Sequence, residues 1–296
     1  MRKQSRTGKR GISAIAVTLS LICILISVVF ISLENSKISG FDTNEDFLKV
    51  FDVGQGDSTL IYSNGYTALI DTGTQESAAE LCVKLQEYGI KQIDALVLTH
   101  LHTDHTGGVE RLAEVFEIKN VILPEISIES EGMGAAQLLI AELTDNGGGV
   151  YNAKQGMNFK IGEFEITVLA VYSDMKDENN RSVMCAAEMD GLKFIFTGDA
   201  EADAEERLLK EGLDLKCDFF KAGHHGSSTS NTKELLAKMK PKFTAISCGV
   251  GNMYGHPHRE VLASFEYYNT EIYRTDYDGD ITFTIKNGRI IAKTEK

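Results

Sequence analysis

The seven residues Thr99-His100-Leu101-His102-Thr103-Asp104-His105 place three imidazoles and a carboxylate in one tight loop. Imidazole nitrogens and carboxylate oxygens are the donors that borderline divalent metals take, and so many in one turn are hard to account for without a metal. Histidine's solitary roles need no such crowding. The loop follows the apolar run 93–98, which reads as a buried strand, so the ligands sit at a strand's C-terminal end.

Other segments also end a strand pattern on polar groups. They are Leu69-Ile70-Asp71-Thr72-Gly73, Asn179-Asn180-Arg181-Ser182, Phe196-Thr197-Gly198-Asp199-Ala200, Gly223-His224-His225-Gly226-Ser227 and Tyr254-Gly255-His256-Pro257-His258. Singly, each has an ordinary reading. Asp71 or Asp199 could cap a helix, and the Asn pair is a common turn. Their weight comes from occurring together.

The elements that must position them alternate along the chain. Strand patterns are expected at 48–53, 59–62, 67–70, 121–123, 164–170, 183–188, 192–196, 218–221, 243–247, 271–274, 281–285 and 290–292. Helical spacing appears near 76–87, 109–116, 135–143, 202–209, 233–239 and 260–267, with Gly147-Gly148-Gly149 as a flexible break. Two successive halves, each with strands first and then alternating helices, imply an α/β architecture of two sheets packed face to face with helices outside.

The N-terminus is different in kind. Arg2, Lys3, Arg6, Lys9 and Arg10 form a basic tail over 1–11, followed by 22 uncharged residues over 12–33. About 20 apolar residues span a bilayer as a helix. The run is long and its exit lacks a small-residue cleavage site, so an uncleaved signal-anchor is expected, with the tail in the cytoplasm. A linker over 34–46 then leads to a domain over 47–296 held outside the membrane. The chain carries a net charge of −13. Phosphate binding is dominated by Lys and Arg, so stable duplex DNA binding is not expected. Cys82, Cys185, Cys217 and Cys248 are scattered without a C-x-x-C pair and read as core thiols, with one disulfide open.

Taken in order, the motifs resemble those of the metallo-beta-lactamase superfamily: an Asp after the third strand, His-x-His-x-Asp-His, Thr-Gly-Asp and a late His. Within it, Phe51-Asp52-Val53-Gly54-Gln55-Gly56-Asp57-Ser58, the 223–227 loop, Tyr254-Gly255-His256-Pro257 and Tyr273-Arg274-Thr275-Asp276 are similar to the hydrolase domain of ComEC-type DNA-uptake proteins. The resemblance covers about 48–292. It implies an αββα sandwich, here preceded by one transmembrane helix, with the site at one edge.

Residue by residue, it implies that His100 and His102 bind a first divalent ion and that Asp104 and His105 bind a second. Asp199 would bridge them, and His225 or His224 would complete the second site, with His225 favoured. Asp71 would orient the histidine loop. Asp57 and Ser58 would border the pocket, or simply form a tight Gly turn. The chain departs from the superfamily in having no His between His105 and His224. The segment Asn179-Asn180-Arg181-Ser182 stands there instead, so an amide oxygen from Asn180 is the expected third ligand. That harder donor set suits Mn²⁺ better than Zn²⁺.

Paired divalent ions activate water and neutralise charge on the attacked and leaving oxygens, which suits a phosphodiester and also other esters, lactones or amides. The nuclease-like resemblance and the oxygen-rich first site favour a phosphodiesterase, with Asp104 and His256 as catalytic candidates. His256 would contact substrate phosphate, protonate the leaving group or hold a third ion; His258 reads as a solvated helix start. The expected substrate is a small phosphate ester or single-stranded nucleic acid. Rival readings are a hydrolase of cell-surface phosphocholine esters and a degenerate binding protein. One predicted span supplies no DNA channel, so uptake itself is not implied.

Overall fold

The structure is a computed structural model describing residues 45–126, 130 and 132–296. The expected tail, the span over 12–33 and almost all of the linker lie outside these residues. Among the described residues no helix is long and apolar enough to cross a membrane.

The strands are β1 (Asp46–Val50), β2 (Thr59–Ser63), β3 (Tyr66–Ile70), β4 (Gln92–Ile93), β5 (Ala95–Val97), β6 (Glu117–Ile118), β7 (Asn120–Leu123) and β8 (Gly149–Asn152). They continue as β9 (Asn158–Ile161), β10 (Phe164–Ala170), β11 (Met184–Met189), β12 (Leu192–Phe196), β13 (Phe219–Lys221), β14 (Phe243–Ile246), β15 (Glu271–Arg274), β16 (Ile281–Lys286) and β17 (Arg289–Thr294). The first sheet has the order β17-β16-β1-β2-β3-β5-β7-β8 and the second β15-β14-β13-β12-β11-β10-β9. Leu48, Val50, Ile61, Ile70 and Val97 of the first meet Phe194, Phe196 and Phe219 of the second in one buried layer. Helices Ala202–Lys210, Lys233–Met239 and Arg259–Tyr267 bury Leu208, Leu235, Leu236 and Phe265 on the outer face of the second sheet. The face-to-face arrangement with helices outside is therefore borne out.

The two halves of the chain do not map cleanly onto the two sheets: β15 ends the second, but β16 pairs with β1, at Val50 opposite Ile281, and so extends the first. One expectation is corrected. The glycine stretch 147–149 is no flexible break. Gly147 caps the helix Met133–Asn146, the Gly148 amide donates to Leu143 O at 2.7 Å, and Gly149 begins β8. A Cβ on Gly149 would lie 2.3 Å from Asn120 Oδ1, so glycine is there for close approach to β7.

Strands β3, β5 and β7 run parallel, as do β12, β13, β14 and β15. Their C-terminal ends face one edge of the sandwich. Parallel strands deliver their loops to that end, which is where ligands gather in such sheets.

Candidate metal centre

The histidine loop hangs from Asp71. Its carboxylate accepts the Thr99 amide at 2.8 Å and the Thr99 hydroxyl at 2.7 Å, and its Oδ2 lies 2.8 Å from His105 Nδ1. A carboxylate opposite Nδ1 keeps the proton there and turns Nε2 toward the site with its lone pair free. Burial raises the Asp71 pKa, against His105 and the Thr99 amide. Asp71 thus ties the loop to β3 through Thr99 and His105, and Ser58 braces it by donating to Asp71 O at 3.1 Å.

His100 Nε2 and His102 Nδ1 face each other at 3.0 Å, with Asp199 Oδ2 4.0 Å from His100 Nε2. Burial and the neighbouring His105 push the His100 pKa well down, so its imidazole is neutral and can donate a lone pair. Asp104, His105, Asp199 and His225 form a second convergence, with ligand atoms within 4.8 Å of one another. His225 Nε2 lies 3.1 Å from Asp104 Oδ2 and 3.6 Å from Asp199 Oδ2. Burial opposes each charged form here, but the carboxylates and imidazoles offset it mutually. His225 is raised to about 10 and Asp104 lowered to about 2. His105 goes well up and Asp199 well down for the same reason, so without an ion His105 holds a second proton on Nε2, which a bound cation would displace to free that lone pair.

Fit to a cation rests on two atoms. His105 Nε2 and Asp199 Oδ1 are 3.2 Å apart and both buried, yet neither completes a well-aligned hydrogen bond. Buried polar groups left poorly paired are costly, so a native structure satisfies them. A divalent ion between them, taking the place of the His105 Nε2 proton, would satisfy both. The donor set, nitrogen and carboxylate oxygen without thiolate, suits zinc, manganese or iron. A further trio, Asp57, Asp71 and His105, also converges, but Lys221 and Thr99 already partner its carboxylates.

Asp199 is placed by the Thr-Gly-Asp turn. Its amide donates to Ser182 Oγ at 3.1 Å, which gives Ser182 its role. Gly198 has φ +55°, and a Cβ there would meet Thr99 Cβ at 2.8 Å. The glycine lets the bridging candidate press against the histidine loop.

The two histidines after β13 both turn inward. His224 and His225 have φ of +49° and +54°, and this left-handed pair brings both imidazoles to Asp199. His224 Nε2 lies 3.7 Å from Asp199 Oδ2 while its Nδ1 faces Thr229 Oγ1 at 3.2 Å. His225 Nδ1 is anchored on Ser247 O at 3.1 Å. Asp199 Oδ2 is thus approached by His100, His224 and His225.

Three expected residues are placed otherwise. Asn180 Oδ1 accepts the Glu201 amide at 3.0 Å, holding the approach to the helix Ala202–Lys210, so it is not directed at the ligands. Its neighbour Asn179 lines the cavity instead, with a buried Oδ1 that has no partner. Asp57 and Ser58 lie beneath the ligands rather than at the border, because Gly56 packs its backbone onto Asp104 O. The border residue from that loop is Gln55.

The ligands form one wall of a cavity of about 570 Å³. His256, half-buried, lines it, with its pKa lowered to about 4 by burial and by His225, His224 and His258. It is neutral at neutral pH. His258 starts the helix Arg259–Tyr267 and accepts the Ser228 amide at 2.9 Å. Cys82, Cys185, Cys217 and Cys248 are free and buried. In the sequence, Asn179, Gln55 and Tyr254 stand within the quoted motifs without a role of their own, and Lys221 reads only as part of a strand. A lysine inside the apolar strand Phe219-Phe220-Lys221, next to a histidine pair, was the available signal for the last.

Comparison with known proteins agrees with this geometry. The profile described as Metallo-beta-lactamase superfamily matches residues 51–250. ComE operon protein 3 of Bacillus subtilis is 31% identical over 94% of this chain and 37% of its own length. Competence protein ComA of Neisseria gonorrhoeae is 29% identical over 84% of this chain and 34% of its own. The chain thus spans about a third of the length of these relatives. The metallo-beta-lactamase fold protein YhfI of Bacillus subtilis superposes with TM-score 0.55 at 14% identity, covering 81% of this chain and all of YhfI. CmlA, a diiron beta-hydroxylase from Streptomyces venezuelae, has TM-score 0.55 at 14% identity, covering 82% of this chain and 54% of CmlA. Likeness at that level carries the fold and not the chemistry. The chain belongs to the metallo-beta-lactamase superfamily and is a metal-dependent hydrolase related to the competence proteins.

Proposed function

We propose that this hydrolase is a phosphodiesterase with two divalent ions, anchored by its N-terminal segment and working outside the cytoplasmic membrane. The observation that carries the reading is the close approach of two buried atoms that complete no well-aligned hydrogen bond, His105 Nε2 and Asp199 Oδ1, at the junction of two donor sets. His100, His102 and His224 would hold one ion and Asp104, His105 and His225 the other, with Asp199 between them. Such ions polarise a phosphoryl oxygen and supply a nucleophile at neutral pH.

The chain's own groups do the remaining work. Asp71 fixes the tautomer of His105, and Ser182 fixes Asp199. Asp104 lies on the wall of the cavity with its Oδ2 3.1 Å from His225 Nε2, and its other carboxylate oxygen can take a proton from an attacking water. His256, neutral and half-buried beside the rings of His224 and His225, can hydrogen-bond a phosphoryl oxygen. Asn179 adds a carboxamide to the lining of the same cavity. The resemblance to competence proteins and the lack of Lys or Arg among the described residues lining the cavity favour short or single-stranded nucleic acid over duplex.

The test compares metal content and turnover of the purified chain on single-stranded DNA, small chromogenic phosphodiesters and phosphocholine esters. Metal-dependent cleavage of phosphodiesters is expected. Cleavage of phosphocholine esters alone would move the assignment to a non-nucleic ester, and a metal-free protein inert on all three would make it a binding protein.

A further inference from the structure

The cavity has a second, apolar wall. Met253 and Tyr254 line it together with His102, Asp104, Asp199 and His225. Met253 is 91% exposed and Tyr254 61%. Large apolar side chains held in solvent beside a polar site mark a surface meant to be covered. Their loop is braced: Asn252 Nδ2 donates to Gly249 O at 2.9 Å and to His256 O at 2.7 Å, while its Oδ1 accepts the His256 amide at 3.0 Å.

The rings are aligned. Tyr254 stacks on His256 with centroids 5.6 Å apart and planes 22° apart, and His256 stacks on His225 at 6.2 Å and 24°. Near-parallel rings therefore lead from the mouth to the ligands, and the outer ring presents a flat face. The two carboxamides nearest it in the chain and cavity are engaged by the protein, and Gln55 Nε2 turns to His256 Nδ1 at 3.5 Å. Gln55 Oε1 accepts the Gly249 amide at 3.1 Å and Asn252 is spent on its loop. No Lys or Arg is among the described residues lining the cavity.

Resting on the phosphodiesterase reading, we propose that Tyr254, flanked by Met253, is a stacking platform for a nucleobase next to the scissile phosphodiester, and that it reads the base's face without regard to its identity. Every base has a π-face, so stacking is tolerant of sequence. A base inside a duplex has both faces covered and cannot use the platform. Without a basic track, phosphates beyond the reacting one gain little, so the substrate is a short single strand or an unpaired end. A trimethylammonium group would be enclosed on one side only, which disfavours choline here.

The experiment uses the metal-loaded full chain with the four deoxy-homodinucleotides and a base-free analogue having the same sugars and phosphodiester. KM for the dinucleotides is expected to lie about tenfold or more below that for the analogue, with the four bases within a few-fold of each other. Tyr254→Ala should close that gap, and Tyr254→Phe should keep it. In parallel, a 2-aminopurine dinucleotide should be quenched on binding the wild-type chain, which has no Trp to interfere, and less so by Tyr254→Ala. A gap that persists in Tyr254→Ala, or wild-type cleavage of the base-free analogue equal to that of the dinucleotides, overturns the platform alone. Failure to cleave any phosphodiester overturns the phosphodiesterase reading and the platform with it.

Discussion

Lys221 Nζ lies 2.8 Å from Asp57 Oδ2, both side chains almost wholly buried, directly beneath the candidate ligands. The other Asp57 oxygen stands 3.4 Å from His225 Nδ1. A lysine inside β13 thus neutralises the carboxylate that faces His225 from behind. Removing one partner of a buried pair leaves the other charge uncompensated, at a cost of about 3–5 kcal/mol. Lys221→Met should therefore unfold at markedly lower urea, and Asp57→Asn together with Lys221→Met should recover part of the loss. Burial raises the Asp57 pKa, but Lys221 and His225 outweigh it and hold it well below the ordinary 3.8. A depressed carboxylate pKa contributes stability above its unfolded value, which is lost as pH falls through the folded one. The wild-type chain should keep this contribution to below about pH 4, whereas Asp57→Asn removes it at neutral pH and flattens the acid limb. Identical urea midpoints for wild type and Lys221→Met would show the pair to be idle.

Asp199 and Asp71 are both buried carboxylates near His105, yet they face different ways. Asp199 keeps an oxygen that completes no well-aligned hydrogen bond, while Asp71 spends both oxygens on Thr99 and His105. Asp199→Ala should lose bound metal and turnover together and keep a folded far-UV spectrum. Asp71→Asn should keep the side chain's shape, replace one accepting oxygen by a donor, and cost about 10–100-fold in activity or metal affinity. Equal, small losses in both variants would put the bridge elsewhere.

The ligand-bearing loops were legible in the sequence because each follows an apolar strand and carries residue types with few other uses. What lay behind them was not. Asn179 and Asn180 are adjacent and chemically identical, and only the turn Asn179–Arg181 decides which carboxamide caps Glu201 and which meets the cavity. The same holds for His224 and His225, where two left-handed residues in succession aim both rings inward. Asp57 pairs with a lysine 164 positions away, a relation that local pattern cannot carry. Extension of the first sheet by β16 was invisible for the same reason.

The membrane anchor is a proposal about residues 12–33, made from 22 uncharged residues behind a basic tail. A span of that length with its positive flank retained inside leaves the hydrolase domain outside. Protease added to intact cells should digest the domain and leave a short membrane-bound N-terminal fragment. Full protection until the cells are permeabilised would reverse the topology.

Metal preference now turns on His224 rather than Asn180. The expectation of a hard first site needed the Asn180 oxygen, which instead accepts the Glu201 amide. His224 Nε2, 3.7 Å from Asp199 Oδ2, brings a third imidazole beside His100 and His102. Imidazole suits Zn²⁺, while carbonyl and carboxylate oxygens suit Mn²⁺ and Mg²⁺. Zn²⁺ should therefore restore the apo chain about as well as Mn²⁺, and His224→Asn should shift the preference toward Mn²⁺ by about tenfold or more, on the scale of losing one ligand interaction. Asn180→His should leave the preference unchanged while lowering thermal stability, because the Glu201 amide loses its acceptor. Metal titration of the apo chain, followed by calorimetry and by turnover, separates the two. A shift in preference from Asn180→His with none from His224→Asn would return the third ligand to the asparagine.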